Sequence, residues 1–159
     1  MKKASMNGVE IYPFSNEEEL LAYIDENKGI LVAINAEKIL HATDETRSII
    51  NPNVGYCDGS GAVMALKKKG FKNVCKIAGC ELWLKIIAKF YKEKSFYLVG
   101  GKQQVIDETV AKLKQEFQGI NIVGYRNGYI KTDEEIAKAI EKLDVISEKY
   151  NVKFVLSVS

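Results

Sequence analysis

Five short β-prone runs recur along the chain at residues 30–34, 54–57, 95–99, 120–125 and 152–158, with helical patterns between them. The first, Ile-Leu-Val-Ala-Ile, is continuously apolar rather than alternating, as expected of a strand covered on both faces. Strands separated by helices at this spacing imply parallel pairing through right-handed crossovers. The expected fold is therefore α/β: a Rossmann-like layered arrangement with a mainly parallel sheet and helices on both faces. A length of 159 residues with 47% hydrophobic content suits one core, and no repeat, low-complexity tract or linker interrupts it, so one domain over 1–159 is expected.

The helical stretches carry their own boundaries. Ser15, followed by Asn16 and three glutamates, predicts an N-cap with an acidic first turn, and Leu20, Leu21 and Ile24 supply the apolar stripe of a helix over about 16–28. Thr43-Asp44-Glu45 marks another helix start before Asn51-Pro52-Asn53 forces a turn. Residues 58–61 open a helix whose Ala62, Val63, Ala65 and Leu66 face inward until Gly70. Residues 74–78 read as a weak strand or loop, 81–92 as a strongly apolar helix with Lys85, Lys89 and Lys92 along one side, and 103–117 as a helix closed by Gly119. Thr132 with Asp133, Glu134 and Glu135 caps a last helix that runs to about Lys149.

Several function classes lose support. With 23 basic against 21 acidic residues, a net charge of +2 gives no general argument for nucleic acid. Two lysines near the N-terminus have no apolar stretch behind them, and no segment approaches the roughly 20 apolar residues of a spanning helix, so a soluble or peripheral, cytoplasmic protein is expected. Cys57, Cys75 and Cys80 are odd in number and lack zinc or CxxC spacing, which fits core or near-core thiols in a reducing compartment. His41 is the sole histidine, expected on a helix surface, and argues against a histidine metal site or a Ser-His-Asp triad; no cofactor is expected.

Three polar segments close apolar runs: 34–38, 57–61 and 99–102. On parallel strands they would gather at one rim, where open α/β sheets bind ligands. Asp58 in Asp-Gly-Ser-Gly is then a candidate base, on backbone that glycine opens to a ligand, with free N–H groups at the next helix start. The alternative is that Asp58 merely caps that helix. Asn35 and Glu37 could bind a sugar or cap their own helix. Gly100-Gly101-Lys102 could cradle a diphosphate, yet it lacks the full GxGxxG and P-loop patterns and equally suits a close packing turn. Lys67, Lys68, Lys69, Lys72 and Lys76 put five cations within ten residues, either a solvated helix end or a patch for a phosphate-rich or anionic membrane surface. Trp83 and Phe90 read as core rather than as a membrane-facing stripe.

In order, Val-Ala-Ile-Asn-Ala-Glu-Lys (32–38), Cys-Asp-Gly-Ser-Gly (57–61), Lys-Ile-Ala-Gly-Cys-Glu-Leu (76–82), Tyr-Leu-Val-Gly-Gly-Lys (97–102) and Ile-Val-Gly-Tyr-Arg-Asn-Gly-Tyr (122–129) resemble the WecG/TagA/CpsF glycosyltransferases. The resemblance implies inverting transfer of an N-acetylmannosamine-type sugar from a UDP donor to a polyprenyl-diphosphate-linked N-acetylglucosamine, in surface polysaccharide or teichoic acid synthesis. It implies Asp58 as base, and Asn35, Gly59, Gly61, Lys76, Gly79, Glu81, Gly100 and Gly101 around the donor. Where the family usually has Arg-x-x-Gly-x-Asp, this chain has Lys76 and Glu81, and lysine lacks the two-pronged grip of arginine on phosphate. The family's Gly-x-Pro-x-Gln-Glu loop and basic, membrane-reaching appendage are absent from these 159 residues. A shortened, partner-dependent or non-catalytic UDP-sugar-binding domain is the alternative, and exposed sheet beside the last strand would favour self-association. A generic nucleotide- or flavin-binding module is a further alternative resting on fold analogy alone.

Overall fold

The computed structural model describes residues 1–158. The chain divides into two compact units, Met1–Gly79 and the remainder from Cys80 onward.

In the first unit, strands β1 (Ala4–Met6) and β2 (Val9–Ile11) form an antiparallel hairpin. The turn is Asn7-Gly8, with both residues at positive φ (51° and 76°), the conformation that matches the twist of a two-residue hairpin. Asn51 holds it from outside, donating from Nδ2 to Gly8 O and accepting from Glu10 N, each at 2.9 Å. The sequence expectations assign no strand before residue 30, so this hairpin is an addition to them.

Helix α1 (Glu17–Glu26) buries Leu20, Leu21 and Ile24 as expected, but its N-cap is Asn16, which accepts from Glu19 N at 2.8 Å. Ser15 lies one residue outside, donating from N and Oγ to the Glu19 carboxylate. Strand β3 (Leu31–Ile34) precedes the short α2 (Ala36–Leu40) and α3 (Asp44–Ile50), the latter in a Thr43/Thr46 capping box. Strand β4 (Val54–Cys57) pairs parallel with β3 in unbroken register from Leu31↔Val54 to Ile34↔Cys57. Helix α4 (Ser60–Lys68) follows, and Ala62 and Leu66 join Ile34, Ile39, Ile50 and Cys57 in one buried cluster. Residues 74–78 form no strand.

Helix α5 (Gly79–Phe90) buries Leu82, Ile86, Ile87 and Phe90 at the 3–4 residue spacing of one face. Phe90 is core as expected, whereas Trp83 is only half-buried. Beyond it, β5 (Ser95–Val99) is the centre of a parallel sheet of order β6-β5-β7, with β6 (Asn121–Arg126) and β7 (Phe154–Ser157) on either side. Helix α6 (Gln103–Glu116) supplies Ile106, Val110 and Leu113. Helix α7 (Asp133–Tyr150), capped by Thr132, ends in a left-handed Asn151. The α/β class and the parallel pairing stand as expected. Among the described residues no helix is long and apolar enough to cross a membrane.

The cysteines depart from expectation: Cys57 is buried, but Cys75 and Cys80 are exposed. Cys57 ends a strand inside the core, while Cys75 sits in irregular chain and Cys80 occupies the outer side of the first turn of α5. His41 is exposed at the C-cap of α2, as expected of a surface residue.

Candidate active site

The end of the β3/β4 pair builds the first cluster. Asp58 N donates to Ile34 O at 2.9 Å, extending the ladder one residue beyond the strands, so Asn35 and Asp58 leave the sheet side by side. Two helices begin there. Asn35 is the N-cap of α2, its Oδ1 accepting from Lys38 N at 2.9 Å, which is the capping role weighed from the sequence. Glu37 is exposed beside it.

Gly59 is the N-cap of α4 and adopts φ 114°, a conformation L side chains rarely take. A Cβ at Gly61 would lie 3.0 Å from Ala36 Cβ, so the first turns of α2 and α4 are in close contact only because that side chain is absent. No side chain caps α4, and its leading N–H groups carry the positive end of the helix dipole outward. Asp58 therefore does not play the capping part that sequence statistics favour.

Its carboxylate turns instead to the chain returning at 76–79. Ile77 N donates to Cys57 O at 2.8 Å, drawing that segment alongside the strand end, and Gly79 N donates to Asp58 Oδ2 at 3.2 Å. Asp58 is half-buried, and its Oδ1 has no hydrogen bond among the described residues. One oxygen is anchored, and the other keeps lone pairs that can accept a proton. Lys76, on the same returning segment, is exposed.

Tyr56 belongs to this cluster and is missing from the sequence candidates. An ideal Cβ on Gly79 would meet the Tyr56 hydroxyl at 2.6 Å and Asp58 Oδ2 at 3.0 Å, so phenol and carboxylate flank the same glycine. In sequence Tyr56 is one more aromatic residue in a strand, and nothing local marks it. Beside the cluster, burial pushes the Cys57 thiol up to about 11, which keeps it protonated and inert.

The second unit holds the remaining candidates. Glu81 is exposed in the first turn of α5. At the end of β5, Gly100 is buried at φ 148°, and the place of its missing Cβ is taken by the Val158 carbonyl. Gly100 N donates to Arg126 O at 3.1 Å, and Gly128 N to Gly101 O at 3.0 Å. The close backbone approach that Gly100 permits is thus an approach of the chain to itself. Gly101, at φ 67°, is half-buried against Val105, and Lys102 provides no side-chain cap to α6.

Residues 5–146, a span that includes every one of these positions from Asn35 to Gly101, match the family model described as "Glycosyl transferase WecG/TagA/CpsF family".

Proposed function

Because the chain belongs to the WecG/TagA/CpsF family of glycosyl transferases, we propose that it moves an N-acetylmannosamine-type sugar from a UDP donor to a polyprenyl-diphosphate-linked N-acetylglucosamine, building a surface polysaccharide or teichoic acid. The observation that carries the proposal is the Asp58 carboxylate, held through Oδ2 and with lone pairs left at Oδ1, beside the uncapped start of α4.

In this reading Asp58 Oδ1 takes the proton of the acceptor hydroxyl as its oxygen bonds to the anomeric carbon. The bond from that carbon to the UDP oxygen breaks on the opposite face, and the configuration inverts. A single base suffices, because no glycosyl-enzyme bond forms. The leaving diphosphate gains negative charge, which suits the N–H groups of Ser60 and Gly61 at the start of α4 and the Lys76 ammonium. Asn35 and Gly59, at the same two strand ends, complete the proposed donor surroundings in this unit. The exposed Lys67, Lys68 and Lys72 suit a lipid-linked acceptor reached from the inner membrane face.

Release of UDP in the presence of a UDP-N-acetylmannosamine donor and a short-chain lipid-diphosphate acceptor tests the reading. Asp58→Asn is expected to lower turnover by roughly 10²–10⁴-fold while UDP still raises the melting temperature. Undiminished transfer by Asp58→Asn removes the base assignment. UDP-dependent stabilisation with no transfer by the unaltered chain favours a non-catalytic UDP-sugar-binding domain instead.

A further inference from the structure

We propose that Gly79 is the positioning residue for the Asp58 base: its amide holds one carboxylate oxygen, and its missing side chain leaves the space into which that carboxylate and the Tyr56 hydroxyl are packed. The inference deepens the glycosyl-transfer reading and rests on it for the role of Asp58.

Local structure argues against glycine at this position. Gly79 is the first residue of the twelve-residue α5, and its φ is not in the left-handed region that glycine alone tolerates. Alanine is preferred to glycine by up to about 1 kcal/mol in a helix interior and by less at a first residue such as this one. A residue that opposes its local preference points to a tertiary constraint.

That constraint is visible in the contacts. A Cβ would sit 2.6 Å from the Tyr56 hydroxyl, 3.0 Å from Asp58 Oδ2 and 3.6 Å from Ala33 Cβ. Tyr56 is 4% exposed and fixed in β4, so its ring has little room to retreat. Asp58, half-buried just past the strand end, is the freer neighbour and would be the one displaced. Displacement would break the 3.2 Å bond from Gly79 N and swing Oδ1 away from the acceptor hydroxyl. Tyr56 acts as the back wall of this clamp and does not touch substrate.

Two measurements test the clamp. In transfer assays, Gly79→Ala is expected to lower kcat roughly 10- to 100-fold, the effect of misplacing a reacting group by up to about 1 Å, with donor KM changed by no more than about threefold. Adding Tyr56→Phe removes the oxygen nearest the new methyl, so the double variant should turn over faster than Gly79→Ala alone. Wild-type kcat in Gly79→Ala, or a double variant no faster than the single, overturns the proposal.

The second readout needs no turnover. The Gly79 amide should exchange slowly with solvent deuterium in the unaltered protein, and Asp58→Ala, which removes its acceptor, should speed that exchange. An amide blind to Asp58 overturns the clamp. A responsive amide in a chain that transfers no sugar overturns the glycosyl-transfer reading instead.

Discussion

Gly100→Ala should destabilise the protein far more than Gly119→Ala, although both glycines have positive φ and both lie in the unit that begins at Cys80. At Gly119 (φ 88°) nothing lies within 4 Å of the added methyl, so only backbone strain of about 1–2 kcal/mol applies. At Gly100 (φ 148°) the strain of a conformation that is nearly glycine-only is about 1–3 kcal/mol. There the methyl is also driven into the Val158 carbonyl, and relieving that overlap costs about a further 1–3 kcal/mol. The relief is opposed by the 2.8 Å bond from Val158 N to Val99 O, which continues the β5/β7 pairing. A combined loss of roughly 4 kcal/mol is a large part of the about 5–15 kcal/mol that holds a domain together. Urea unfolding followed by circular dichroism reads the difference: with a slope near 2 kcal/mol/M, the midpoint should fall by about 2 M for Gly100→Ala and by under about 1 M for Gly119→Ala. Equal midpoints at unchanged slope refute the reasoning, because the Val158 carbonyl is the contact that separates the two positions.

Thiol titration should divide the cysteines by burial: with a disulfide reagent at neutral pH, Cys75 and Cys80 react in the native protein and Cys57 only after unfolding, and a Cys57 that reacts as fast as the other two contradicts its enclosure. The Tyr23 phenol is raised above its ordinary value of 10.0, first by its hydrogen bond to the Tyr12 hydroxyl and then by burial. Its proton is held more tightly in the folded state, so this contribution to stability is full below pH 10 and is lost as the pH rises through the folded value. Urea midpoints taken from about pH 9 to about pH 11 should therefore fall less steeply in Tyr23→Phe than in the unaltered protein, and identical slopes would count against the linkage.

Much of the architecture is legible in local pattern. The apolar runs at 54–57 and 95–99 coincide with β4 and β5, and Thr43 and Thr132 are caps where a threonine precedes acidic residues. The N-cap of α1 falls on Asn16 rather than Ser15 because both are good capping residues and only backbone conformation chooses between them. The N-terminal hairpin has a sequence signal, since Asn7-Gly8 between Met6 and Val9 is a strong two-residue turn. Its strands are only three residues each, too short for periodicity to register.

The sequence alone established the alternation of strand and helix, the α/β class, and the positions at which a strand end hands over to a helix start. These are set by residues within a few positions of one another, through side-chain period, capping and turn geometry. Tertiary structure decided that Asp58 meets the amide of Gly79, that Tyr56 backs the same glycine, and that Val158 fills the space beside Gly100. The partners in the first and last of these pairs lie 21 and 58 residues apart in the chain, and Tyr56 is 23 residues from Gly79. No local preference encodes such meetings, because they depend on where the folded backbone returns and how much room it finds there.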